Sequence, residues 1–126
     1  MREFFKSVID QDRAPVVICD TGHRIIYMNP SAVKNYSKYG GADLVGKSLL
    51  SCHNPESCAM IKRVVAWFLE DAGNNMLYTS KNESKGRDVY MVALRDADKR
   101  LIGYYEKHEY RNCETAKLYD FSESLI

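Results

Sequence analysis

Residues 14–32 read APVVICDTGHRIIYMNPSA, a stretch with two short apolar runs and two turn signals. The runs at 16–19 and 24–28 are rich in β-branched residues, which favour strands. Asp and Gly between the runs tolerate the backbone angles of a tight turn, so the stretch predicts a β-hairpin. Asn29 and Pro30 then predict a helix start, because Asn caps helix N-termini and Pro suits the first helical position.

The segments on either side of this hairpin extend the pattern. Upstream, an apolar stripe predicts an amphipathic helix over residues 3–11. Downstream, a second Asn-Pro pair at 54–55 precedes apolar residues at helical spacing, which predicts the longest helix of the chain. Three strand-like segments follow at 76–80, 88–95 and 101–110.

Length and charge narrow the class of protein. The chain has 126 residues, the size of one domain, and its 18 basic and 17 acidic side chains leave a net charge of +1. This balance predicts no nucleic-acid or membrane partner, since either favours a concentrated basic surface. No apolar stretch approaches the length of a membrane span or a secretory signal, so we expect a cytoplasmic protein. In a reducing cytosol the four cysteines are expected to be free thiols.

The order of elements predicts the fold class. Two leading and three trailing strands, separated by helices, suit an α+β domain with a five-stranded antiparallel sheet and helices packed on one face. The space between the helices and the sheet is a natural small-molecule pocket. We expect an N-terminal helix at 1–12, a domain at 13–111 and a C-terminal tail at 112–126.

Three motifs resemble those of PAS domains. Residues 14–32 are similar to the family's opening hairpin, D-x-x-G-x-I-x-Y-x-N-x-x-A, and residues 46–49 (GKSL) to its G-[KR]-x-[LF] element. Residues 95–103 resemble the family's final hairpin, with Lys99 where Gly is usual. The resemblance implies a PAS-like sheet with a role in sensing or dimerisation. Only about 16 residues follow Tyr110, too few for an output domain. We therefore expect either a standalone adaptor, which the initial Met favours, or a piece of a longer protein.

The same resemblance implies a pocket that holds flavin, haem, a small acid or nothing. Leu49 aligns with the photochemical cysteine of flavin-binding members, which argues against flavin photochemistry. His53 could ligate haem or donate a hydrogen bond to a carboxylate, although fixing the loop before the long helix is the favoured interpretation. Cys52 is a candidate redox thiol. The spacing of Cys52 and Cys58 does not suit zinc, so no metal site is predicted.

Six residues are candidates for contact with a cofactor whose identity the sequence leaves unknown. For the methionines and the tryptophan among them, core packing is the favoured alternative. The candidates are His53, Cys52, Tyr36, Met28, Met91 and Trp67.

The last predicted strand is polar on both faces from residue 104 to 110. We interpret this as a strand end that runs past the core into solvent. The alternative is a pocket or dimer contact that uses Glu106 and His108.

No enzyme is predicted, because there is no Gly-rich phosphate loop and the adjacent Cys52 and His53 side chains diverge. The first functional hypothesis is a signalling module that binds a small ligand and passes the change to a partner protein. The second is a ligand-free adaptor that forms a homodimer through the N-terminal helix and the sheet, and the third is a haem or redox sensor through His53 and Cys52.

Overall fold

The computed structural model describes residues 1–122. Its regular elements follow the predicted order, with three 3-10 turns between the second and third helices. The elements are α1 (Arg2–Asp10), β1 (Val17–Asp20), β2 (Ile25–Met28), α2 (Pro30–Asn35), α3 (Pro55–Glu70), β3 (Met76–Asn82), β4 (Arg87–Arg95) and β5 (Leu101–Tyr110). Within these residues, no helix is both long and apolar enough to cross a membrane.

The five strands form one antiparallel sheet in the order β2-β1-β5-β4-β3, which confirms the predicted fold class. The long-range pairing of β1 with β5 holds the two ends of the chain together, with Asp20 opposite Gly103. A Cβ at position 103 would fall inside van der Waals contact of the Cys19 carbonyl, so only glycine allows this close approach.

The core lies between the inner face of the sheet and α3. Helix α3 contributes Ile61, Val64, Val65 and Phe68, all buried. Its N-terminus is capped as predicted, because the side chain of Asn54 accepts a hydrogen bond from the Ser57 N–H at 2.8 Å. Apolar burial of this kind is the main stabilising contribution in a small domain.

Helix α1 lies against the opposite, outer face of the sheet. Side chains of α1, including Phe5 and Ile9, form a shallow groove with Ile18 and Tyr27. The Tyr27 hydroxyl donates a hydrogen bond to the carboxylate of Asp10 at the end of the helix. No residue of α1 is fully buried, and hydrogen bonds to Ile9 and Asp10 attach its C-terminal end to the rest of the domain.

The end of β5 corrects one interpretation made from the sequence. Glu106 and His108 do not run into solvent; their side chains are only 15% and 5% exposed on the inner face of the sheet. The reason is that β4 pairs with β5 along its whole length, up to Arg87 opposite Tyr110. The polar half of the strand therefore stays paired within the sheet, and its inward-facing side chains are covered on the α3 side.

Candidate functional site

A cleft of about 460 Å³ separates the N-terminal half of α3 from the inner face of β3, β4 and β5. The helix side and the preceding loop contribute His53, Glu56, Ser57, Met60, Ile61 and Val64. The sheet side contributes Leu77, Tyr78, Thr79, Ser80, Arg87, Val89, Met91, Glu106 and His108. The cleft is therefore apolar along much of its length and polar at one end.

The polar end is a consequence of strand pairing. Met91 lies opposite Glu106, and Val89 lies opposite His108. Directly opposed residues of antiparallel strands share a face, so both β5 side chains face the cleft beside the apolar residues of β4. Two residues before Val89, Arg87 projects from the same face.

Three buried polar atoms at this end lack partners. Across residues 1–122, Arg87 Nε and both ring nitrogens of His108 make no hydrogen bond. The nearest carboxylate oxygen to His108 Nε2 is Glu106 Oε2, 3.8 Å away, which is beyond hydrogen-bonding distance. An unmade hydrogen bond of a buried group costs about 1–3 kcal/mol, so these atoms are poised to accept a partner from a molecule in the cleft.

Tyr36 lies close to Glu106 from the α2 side. Burial raises the pKa of the Tyr36 hydroxyl, and the negative charge of Glu106 raises it further. The hydroxyl therefore keeps its proton at neutral pH. Glu106 thus lines the cleft and also interacts with Tyr36 at the C-terminal end of α2.

The six residues that the sequence singled out do not come together in one site. His53 and Met91 line the cleft. Met28, Tyr36 and Cys52 instead line a part of the core too tight to hold a water molecule. Trp67 packs beside Phe68, with ring centroids 5.8 Å apart.

The contact expected to fix the loop at His53 is present. His53 Nδ1 lies 2.9 Å from the carbonyl oxygen of Leu49, across the turn that precedes α3. His53 is also one of the residues that line the cleft.

The residues that sequence reasoning missed or set aside are Arg87, Glu106 and His108. A signal for them was present in the period-2 alternation of the strands. Glu106 and His108 lie on the same face of β5 as Tyr104, a core residue. Arg87 lies on the same face of β4 as Val89 and Met91.

The sheet order, the helices on its inner face and the cleft between them define an α+β domain with a ligand-sized cleft. A family model described as the PAS fold matches residues 9–106. The chain therefore belongs to the PAS family, whose domains are sensory and signalling modules of histidine kinases and receptors. No curated protein matches the chain.

Solved structures share this fold at low sequence identity. The PAS domain of a protein from Colwellia psychrerythraea has a TM-score of 0.65 and 14% identity, over 86% of this chain and 95% of its own. A sensory box sensor histidine kinase from Vibrio cholerae has a TM-score of 0.56 and 17% identity, over 86% and 90%. The Aer2 receptor from Vibrio cholerae, a dual PAS-haem oxygen sensor, has a TM-score of 0.53 and 17% identity, over 75% and 90%.

Proposed function

We propose that the chain is a cytoplasmic, non-catalytic signalling module that binds a small molecule in the cleft and passes the resulting change to a partner protein. The observation that supports this most directly is the set of unpartnered buried atoms on Arg87 and His108. They lie in a cleft large enough for a small ligand. A bound polar group would satisfy them and give the ligand a favourable binding free energy.

The position of Glu106 suggests how binding would be transmitted. Glu106 lies opposite Met91 on β4 and also opposite Val17 on β1, so it belongs to the centre of the sheet. The residue before Val17 is hydrogen-bonded to Asn29, whose side chain also holds the end of α1. A displacement of β5 by a ligand would therefore act on α1 through β1. In this proposal residues 1–12 and 112–126 are the output segments and 13–111 the ligand-binding domain.

Native mass spectrometry of the protein purified from its own host tests ligand binding. We expect a species heavier than the chain alone, whose extra mass is lost when the protein is gently denatured. Ser57→Trp should lower its occupancy, because a bulky ring would fill the cleft from the α3 side. Arg63→Trp, on the exposed face of the same helix, is the matched control and should retain the ligand. A wild-type protein that never carries a bound molecule would argue against a ligand-binding function.

A second function, homodimerisation through α1, is favoured by a separate observation. Phe4, Phe5 and Val8 are 72%, 62% and 72% exposed on one side of the helix. Three neighbouring apolar side chains in water favour association, and a second copy with the same stripe is a self-complementary partner. A dimer that never carries a ligand would correspond to the adaptor hypothesis.

Light scattering after size exclusion measures this association. The wild type should have twice the mass of the chain, and the double variant Phe4→Glu/Val8→Glu should be monomeric. Ser7→Glu places one of these two charges on an exposed polar position of α1 and should leave the dimer intact. A monomeric wild type at high protein concentration would rule out this interface.

The haem or redox alternative through His53 and Cys52 has weaker support. The ring of His53 is held by the Leu49 carbonyl, and Cys52 packs in the core region with Tyr36, away from the cleft. A haem titration followed by absorbance decides the question for haem. A Soret band that appears in the wild type and is lost in the variant His53→Ala would favour this alternative.

A further inference from the structure

The polar end of the cleft offers an unusual mixture of hydrogen-bonding groups. Arg87 can only donate, and an ionised Glu106 can only accept. A neutral His108 offers one donor and one acceptor, and its side chain is 95% buried, being 5% exposed. A ligand that satisfies this end must therefore present both kinds of group.

The three side chains are close enough for one small polar group to reach more than one of them. His108 and Glu106 alternate on the same face of β5, and their nearest polar atoms are 3.8 Å apart. Arg87 is the diagonal neighbour of His108 across the strand pair, since it lies opposite Tyr110. Diagonal neighbours in antiparallel sheets are separated by about 7–8 Å, a distance that a group of two or three heavy atoms can bridge.

Charge selects among possible polar groups. Within residues 1–122, no ion pair joins Arg87 to Glu106 or to Glu56 at the edge of the cleft. A purely anionic head would pair with Arg87 but would lie against Glu106. A purely cationic head would pair with Glu106 but would leave Arg87 Nε without a partner. A head with an acceptor and a donor on neighbouring atoms meets both demands.

The rest of the cleft determines the body of the ligand. Ile61, Val64 and Met91 form a buried apolar lining beyond the polar end. At the mouth, Met60 and Leu77 remain 51% and 38% exposed. An apolar body would cover both side chains and remove their surface from water, which favours binding in proportion to the area buried. Flexible methionines on both walls also adapt to aromatic or aliphatic shapes.

We infer that the cleft selects a small molecule with an apolar body and a compact head that combines a hydrogen-bond donor with an acceptor, as in a zwitterionic amino acid or a primary amide. The donor faces Glu106, and the acceptor faces Arg87 and His108. This inference rests on the proposed ligand-binding function, because it assigns a ligand class to the same cleft.

A matched set of four probes tests the head group while keeping the phenyl body constant. L-Phenylalanine is the zwitterion and 3-phenylpropanamide the amide, whereas 3-phenylpropanoate has only the acid and phenethylamine only the amine. Each is titrated into the full chain and followed by the amide resonances of α3, β4 and β5. At least one of the first two should bind about tenfold more tightly than both single-function probes, which corresponds to one hydrogen bond of about 1.4 kcal/mol. Which of the two binds identifies the zwitterionic or the amide head.

Variants of Glu106 and His108 test whether the head group of the probe contacts the polar end of the cleft. Glu106→Gln should reduce the affinity for the preferred probe about tenfold if an ammonium group pairs with Glu106. His108→Phe should reduce it for either head, because both ring nitrogens are lost. Glu109→Gln is the matched control, since Glu109 lies on the outer face with Lys107 and Arg111 and should leave the affinity unchanged.

Two results would overturn the inference. Equal affinity for a single-function probe would mean that the cleft binds ligands without this head, leaving the proposed function intact. No shift of cleft resonances by any of the four probes would reject the ligand class, while native mass spectrometry independently decides whether the chain binds a ligand at all.

Discussion

Val16 and Asn29 are joined by a buried hydrogen bond, in which the Val16 N–H donates to the side-chain oxygen of Asn29 at 2.9 Å. The same oxygen caps α2 by accepting the Ala32 N–H at 2.9 Å. The amide nitrogen of Asn29 donates to the carbonyl oxygens of Ile9 at 2.9 Å and Ala14 at 3.0 Å. One fully buried side chain thus connects α1, the start of β1 and α2.

Replacement of Asn29 should therefore be costly. Asn29→Ala leaves several buried backbone groups without partners, and we expect it to lower the free energy of unfolding by about 3 kcal/mol. Asn29→Asp has the same shape but turns an oxygen towards the Ile9 and Ala14 carbonyls, so it should also destabilise. Urea denaturation measures both, with Ser31→Ala as a control for a more exposed hydrogen bond. An Asn29→Ala protein as stable as the wild type would contradict this role.

Arg95 stabilises the C-terminal end of α3. Its Nη2 donates to the carbonyl oxygen of Phe68 at 2.6 Å and to that of Asn74 at 3.1 Å, while Nε donates to the Asn75 side chain at 2.7 Å. Arg95→Met should lower the free energy of unfolding by about 2 kcal/mol, because helix-end carbonyls lose a charged donor. Arg95→Lys should recover only part of this, since one ammonium cannot reproduce the fork of a guanidinium. Arg100→Met, at an exposed position, should change stability little, and equal effects at the two positions would refute the proposed cap.

The helix starts and the cleft differ in how far the sequence predicted them. The starts of α2 and α3 were predictable because Asn29-Pro30 and Asn54-Pro55 are local signals that act within one turn. The burial of Glu106 and His108 depends on how far the neighbouring strands extend, which local alternation does not specify. Arg95 was visible as part of a motif, but its contact with Phe68 spans 27 residues of sequence and arises only from tertiary structure.

Lys99, which stands where the family motif usually has Gly, adopts a backbone conformation that favours glycine. It has a φ of 65°, in the left-handed region that favours glycine, at the turn between β4 and β5. Lys99→Gly should therefore raise the free energy of unfolding by about 0.5–1 kcal/mol. Lys99→Ala removes the charge but keeps the strained backbone, so it should give no such gain. Thermal and urea denaturation compare the two variants, and equal stabilities would show that backbone strain is not the cause.

The cysteines should differ sharply in reactivity. Cys19 is fully buried, and burial raises the pKa of its thiol to about 12, so almost no thiolate forms at neutral pH. Cys113 is exposed. Alkylation with iodoacetamide followed by peptide mass spectrometry should label Cys113 first and Cys19 only after denaturant is added. Labelling of Cys19 in the native protein at the rate of Cys113 would be inconsistent with a closed core.

His23 makes the stability of the domain dependent on pH. His23 lies in the turn between β1 and β2, and its Nδ1 is 2.8 Å from the hydroxyl of Tyr104 on β5. Burial lowers the pKa of His23, and the positive charge of Lys62 lowers it further. The folded chain therefore resists protonation of this imidazole.

The sign of the pH effect follows from this lowered pKa. An unfolded His23 takes up a proton near its ordinary pKa of about 6.5, whereas the folded chain does so only at lower pH. The unfolded state thus binds more protons in this window, and the free energy of unfolding should fall as the pH drops below about 6.5. His23→Asn removes the titration and suits the positive φ of 68° at this position, so it should flatten the dependence. Lys62→Met should flatten it in part. Urea denaturation between about pH 7 and 5 measures the free energy of unfolding of the wild type and both variants. The same slope of this free energy against pH in all three proteins would contradict the assignment.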